Sequence, residues 1–207
     1  MSLSATRPRL SPEETQERIL VVAEDLFRRV GYAKTSVADI AAQLSMSPAN
    51  VYRFFPSKGA INEAICGRFI AEADALVDRI ADGDLPPAER IVTLIVEHHR
   101  FNRSNFVAER RVFDMVEVAM AENWPTIERH MGHVSAALAR CVAAGVADGS
   151  FRPVDPLATA ITLKKACMMV IHPTMIALCA DQDLETVARD IVALCVRGLA
   201  APTTTKA

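Results

Sequence analysis

Apolar residues recur at helical spacing from the first ordered stretch of the chain onward. Ile19, Ala23, Leu26, Phe27 and Val30 fall on one helical face and predict a helix over 12–30. Ser11 supplies an N-cap, Pro12 suits the first helical position, and Glu13 and Glu14 favour the positive helix end. Gly31 is placed to end the helix. A second, short amphipathic stretch follows, with Val37, Ile40, Ala41 and Leu44 inward and Ser36 as its cap. Ser45-Met46-Ser47 reads as a turn, and Ser47-Pro48 opens a third helix that the pattern carries to about Phe54. Val51 with Phe54 or Phe55 would face the core. Helices this short are not stable alone, so the three must share one small core.

Pro56-Ser57-Lys58 starts a long fourth helix, with Ile61, Ile65, Phe69, Ala73, Leu76 and Ile80 carrying it to about Ala81. Asp82–Pro87 is the clearest break in the chain. Beyond it the pattern predicts helices at about 87–103, 105–121, 125–147, 155–180 and 184–200, with a kink or helix end at His172-Pro173. No strand-like alternation or internal repeat interrupts this series. The expected fold is therefore all-α. Its parts are a tail (1–11), a three-helix helix-turn-helix domain (12–57), a larger helical domain entered through the long helix (58–200), and a second tail (201–207).

Composition agrees with that architecture. Apolar residues make up 51% of the 207 positions and only 8 are Gly. The apolar runs fall short of the roughly 20 residues that span a bilayer, and positions 1–11 lack the apolar core of a secretion signal. The expectation is a soluble, cytoplasmic protein without a membrane partner. Five cysteines, at 66, 141, 167, 179 and 195, are scattered without a C-x-x-C pair. They read as reduced, mostly buried thiols. Net charge is −2. Residues 1–60 carry eight Lys/Arg against six Asp/Glu, and the remainder carries fifteen against nineteen. A mildly basic N-terminal part beside an acidic body fits a nucleic-acid-binding end, though weakly by itself.

A helix-turn-helix presents the start of its second helix to base edges while phosphate contacts fix register. Ser47, Pro48, Ala49 and Asn50 begin that helix here. Asn can pair bidentately with adenine, and the Ala49 methyl can meet a thymine methyl. Tyr52 and Arg53 reach toward backbone phosphates. Thr35 and Ser36, and Ser57 and Lys58, sit at helix starts, where phosphate is attracted.

Residues 18–65 resemble the N-terminal domain of the TetR family of bacterial transcriptional regulators. The resemblance is carried by Ala23-Glu24-Asp25-Leu26-Phe27 with Gly31-Tyr32, by Thr35-Ser36-Val37 and Ile40-Ala41, and above all by Val51-Tyr52-Arg53-Phe54-Phe55-Pro56-Ser57-Lys58. It implies that Tyr52 and Lys58 contact phosphate, and that Ser47, Ala49, Asn50 and Arg53 face the groove. Two departures stand out. Relatives commonly have Gly where Ser45 or Ala49 stands, and often a polar residue where Pro48 stands. The operator sequence therefore cannot be carried over from a relative.

The same resemblance implies that the body binds a ligand and dimerises. Leu157 and Ile161 on one helix, and Leu184, Val187, Ile191, Leu194 and Cys195 on the last, give apolar faces suited to a four-helix interface between two copies. They are equally compatible with one subunit's own core. Phe101, Phe106, Phe113, Met120, Trp124, Met131, Met168, Met169, His172 and Met175 are candidate walls of a sensing pocket. Met-rich and aromatic walls adapt to apolar or amphipathic molecules. His130 and His133, three apart, lack the further ligands a metal site needs. No metal and no cofactor is expected, and no catalytic or phosphate-loop motif points to an enzyme. The expected function is a homodimeric repressor of a palindromic double-stranded DNA operator, released by a small-molecule effector. The alternative is a helical carrier of small molecules that does not read DNA.

Overall fold

The computed structural model describes residues 10–121 and 125–201. Among these residues every regular element is helical: α1 (Pro12–Val30), α2 (Val37–Gln43), α3 (Pro48–Tyr52), α4 (Lys58–Ala81), α5 (Pro87–Asn102), a π-helical turn (Arg103–Val107), α6 (Arg110–Ala121), α7 (Pro125–Ala147), α8 (Pro156–Ala166), α9 (Met168–Ile171), α10 (Pro173–Leu178) and α11 (Leu184–Leu199). The chain divides into two compact units between Ile65 and Cys66, inside α4.

In the first unit the helix starts are fixed by side-chain caps. The Ser11 hydroxyl accepts from the Glu14 amide at 3.1 Å, and the Glu14 carboxylate accepts from the Ser11 amide at 2.7 Å. Ser36 and Asp39 repeat this box at α2. Gly31, at φ 102°, ends α1 as the pattern predicts. Ile19, Ala23, Phe27, Ile40, Ala41, Val51, Ile61 and Ile65 are wholly buried and form the shared core. Val30, expected on the buried face, is 44% exposed, because the last turn of α1 runs past the core. α3 is shorter than expected, with Arg53 as its C-cap. Past that cap Phe55 is buried and Phe54 only half-buried.

The second unit has its core between α5, α7, α8 and α11, built on Ile91, Leu94, Ile95, Leu138, Cys141, Val142, Ala188 and Val192. The buried stripe of α4 continues through Ala73, Val77 and Ala81, while Leu76 and Ile80 are only half-buried. The expected break at Asn102–Asn105 is absent. The chain stays helical through a widened turn, in which the Ala108 amide donates to the Arg103 carbonyl at 2.9 Å, and breaks at Ala108–Glu109 instead. The segment expected as one helix over 155–180 is three. It stops at Cys167 as well as at His172, whose extended backbone (ψ 123°) is what a residue before proline adopts. Lys164 of α8 donates its ammonium to the Met131 carbonyl of α7 at 2.7 Å.

Candidate nucleic-acid interface and ligand cavity

α2 and α3 are joined through Ser45, which adopts a left-handed backbone at φ 54°. The Ser45 amide donates to Ala42 O at 3.1 Å and the Met46 amide to Ala41 O at 2.9 Å, a Schellman closure of α2. This sharp stop brings α3 against α2. The Ser47 hydroxyl caps α3 by accepting from the Asn50 amide at 3.2 Å. Ser47, Pro48, Ala49, Tyr52 and Arg53 are exposed, Tyr52 at 50%. Asn50 is half-buried and shares a cleft with Arg53 and with Arg18 of α1. Arg18 was not singled out by the sequence pattern. It lies on the polar face of α1, and only the fold brings it beside α3.

The helix-start residues are placed differently from expectation. Thr35 is 3% exposed and its hydroxyl donates to Gly31 O at 2.9 Å, so its side chain has no surface to offer a phosphate. The Ser36 hydroxyl donates to the Asp39 carboxylate at 2.6 Å. That carboxylate already occupies the start of α2, and the Ser36 bonds hold its pKa below the usual range. A phosphate at this helix start would meet a like charge. Lys58 is half-buried: its ammonium donates to Tyr32 O at 2.8 Å and Thr35 O at 3.0 Å, and lies 4.3 Å from the Tyr32 ring centroid.

The second unit holds a cavity of about 250 Å³. Of the expected ligand residues, Phe106, Met120, Met131, Met168 and His172 line it. Phe101 packs on Phe106 behind the wall, with ring centroids 5.9 Å apart. Phe113 is buried elsewhere under Arg110, Met169 packs on the main core, and Met175 is 37% exposed. Trp124 lies outside the described residues. Sequence reasoning missed Cys66, Ile70 and Ala73 of α4, together with Asn102, Val116, Ala119, Ile127, His130, Ile171 and Pro173. The α4 residues were unrecognisable as lining because their spacing is that of any buried helical stripe.

A buried polar chain runs behind one wall. His130 Nδ1 lies 2.7 Å from the Asp74 carboxylate, and His130 Nε2 lies 3.3 Å from His98 Nε2. Burial first, and then the neighbouring His130 and His99, push the His98 pKa down to about 3, so that ring is neutral. His99 turns the other way, with Nδ1 2.6 Å from Val170 O. His133 pairs with Asp78 at 3.0 Å. Among the described residues no group of three or more His, Cys, Asp or Glu is arranged to hold a metal ion.

On α8 and α11, Leu157 is 52% and Leu194 66% exposed, and Ile161, Ile191 and Cys195 are partly exposed. Leu184, expected at a dimer interface, is instead 2% exposed within its own unit's core, and Val187 packs against that core. Both lie at the start of α11, where the helix abuts α5.

The short capped helix pair with its exposed reading helix defines a helix-turn-helix protein. Residues 19–65 match the family described as bacterial regulatory proteins, tetR family, and residues 87–192 match the tetracyclin repressor-like C-terminal domain. The chain belongs to the TetR family of transcriptional regulators, a kind of protein that is not an enzyme. The HTH-type regulator YhgD of Bacillus subtilis (strain 168) is 21% identical over 194 residues, covering 91% of this chain and 98% of YhgD. A TetR/AcrR-family regulator structure from Thermobifida fusca is 27% identical with a TM-score of 0.64, covering 89% of this chain and 97% of that one. SmeT, the repressor of the Stenotrophomonas maltophilia multidrug efflux pump SmeDEF, is 19% identical with a TM-score of 0.67 over 91% of each chain, and has also been solved as a complex with triclosan. Among the described residues no helix is long and apolar enough to cross a membrane.

Proposed function

We propose that the protein is a ligand-responsive repressor that binds a palindromic operator as a homodimer and leaves it when an apolar small molecule enters the cavity of the second unit. One observation carries the reading. Cys66, Ile70 and Ala73 of α4 line the cavity, and the same unbroken helix begins at Lys58, the residue that ties the α1–α2 connection to it. A ligand that favours one placement of α4 therefore acts on a helix the DNA-reading unit shares. Release requires that it bind the DNA-incompetent state more tightly.

Each α3 of the dimer enters one major groove, so the half-sites lie about one helical turn or more apart. Ser47, Pro48, Ala49 and Asn50 face the bases; Tyr52, Arg53 and Arg18 face the backbone. Lys58 adds positive charge near the phosphates while holding the α1–α2 connection. The exposed Leu157 and Leu194, flanked by Ile161, Ile191 and Cys195, favour a four-helix contact between copies through α8 and α11. SmeT, a repressor solved with a small molecule, supports the effector part of the reading by analogy. In vitro transcription from an operator-bearing promoter tests it. Addition of the protein lowers transcript, and an organic extract of the source cells restores it. Raised transcript on adding the protein would instead make it an activator.

A further inference from the structure

The cavity wall is unusual in what it lacks and in where its few polar groups sit. Among the described residues none that lines it is Lys, Arg, Asp or Glu. His130 reaches the wall, but one ring nitrogen is engaged by Asp74 and the other by His98. Two lining groups keep hydrogen-bonding capacity. The Asn102 side-chain amide donates to Ile171 O at 2.6 Å, which leaves its oxygen as an acceptor. His172 follows Ile171 directly in the chain, and its buried Nδ1 has no hydrogen-bond partner among the described residues. The Asn102 amide oxygen and the His172 ring are thus two polar groups with bonding capacity in a mostly apolar wall.

We propose that the effector is an uncharged, largely apolar molecule bearing a single hydroxyl-type group, which donates to Asn102 Oδ1 and accepts from the His172 ring. The proposal rests on the effector reading of this cavity. A hydroxyl is both donor and acceptor and satisfies both wall groups at once. A carboxylate would surrender its hydration with no cation to replace it, and an ammonium would do so with no carboxylate in the described wall. Burial also lowers the His172 pKa, so that ring does not become the missing cation near neutral pH. A cavity of ~150 Å³ suffices for benzene, so this one has room for roughly ten non-hydrogen atoms.

The test uses the purified full chain and three probes of equal chain length, 1-octanol, octanoate and octylammonium, titrated by calorimetry at pH 7.5. The expected result is binding of 1-octanol, with both charged probes at least ten-fold weaker. Ala119→Phe, which fills the cavity, abolishes that binding in protein shown to be folded by circular dichroism. His172→Phe weakens 1-octanol about three- to ten-fold, the worth of one hydrogen bond, and leaves 1-octene unchanged. If a charged probe binds as tightly as 1-octanol and Ala119→Phe removes it, the cavity reading stands and the uncharged chemistry falls. Binding of 1-octanol that survives in folded Ala119→Phe overturns both. So does the absence of binding by all three probes.

Discussion

The Lys58 ammonium donates to the backbone carbonyl of Tyr32 at 2.8 Å while lying 4.3 Å from the centroid of the same residue's ring. One side chain on α4 thus locks the connection between α1 and α2. That gives Lys58 two separable effects. Lys58→Ala should lower stability by about 1–2 kcal/mol, the range for hydrogen bonds from a charged donor discounted for partial exposure. It should also weaken binding at every DNA sequence and reduce the slope of log affinity against log salt by about 0.9 per subunit, about 1.8 for the bound dimer. Urea melts and salt titrations measure the two independently. A fall in stability with an unchanged salt slope would confine Lys58 to the fold.

Ser45 holds a left-handed backbone that a β-carbon disfavours by roughly 1–2 kcal/mol. The family resemblance implies Gly where Ser45 or Ala49 stands, and the backbone gives a physical reason for the first of these positions. Ser45→Gly should stabilise the protein by about 0.5–1 kcal/mol once the added freedom of the unfolded chain is subtracted. Chemical denaturation decides it. A destabilised variant would show that the Ser45 side chain holds something the backbone argument omits.

Asn50 stands at the start of α3 in a cleft with Arg18 and Arg53. Asn50→Ala should relax base preference at one position of each half-site, at about 1–3 kcal/mol for a bidentate contact. Arg18→Ala should weaken binding uniformly. Selection and sequencing of bound DNA by each variant measures both. A wild-type preference from Asn50→Ala would remove Asn50 from base reading.

His98 makes stability depend on pH with a definite sign. Its folded pKa is pushed down to about 3 from 6.5 by burial and by the neighbouring His130 and His99, with Asp74 facing His130 from α4. Below pH 6.5 the unfolded chain binds a proton that the folded chain refuses. The contribution is fully present above 6.5 and is lost as pH falls toward 3. Between pH 6.5 and 5, wild type should lose about 1.5 kcal/mol more than His98→Gln, which does not titrate. Parallel pH profiles of wild type and variant, from urea melts, would contradict a neutral buried His98.

The first unit was largely legible in the sequence because its helix ends carry chemical signals. Ser11 with Glu14, Ser36 with Asp39, Gly31 and Ser47-Pro48 each mark a terminus that local bonding enforces. The bonding of Lys58 was not legible, since it arises when α4 folds back on the α1–α2 connection. In the second unit the helical spacing of Leu157, Ala160, Ile161, Leu163, Val170 and Ile171 runs across Cys167 and hid the stop there, which no Gly or Pro announces. The same limit applied to the cavity. Its Met and Phe walls have a compositional signature, but Ala73, Ala119 and Asn102 line it only because several helices leave a gap there.

Operator binding by a dimer is tested by capture of fragmented genomic DNA from the source organism by the purified, ligand-free protein at near-physiological salt, followed by sequencing. A palindromic motif with half-sites about one helical turn or more apart is expected to be enriched. No enrichment by folded protein would contradict operator binding.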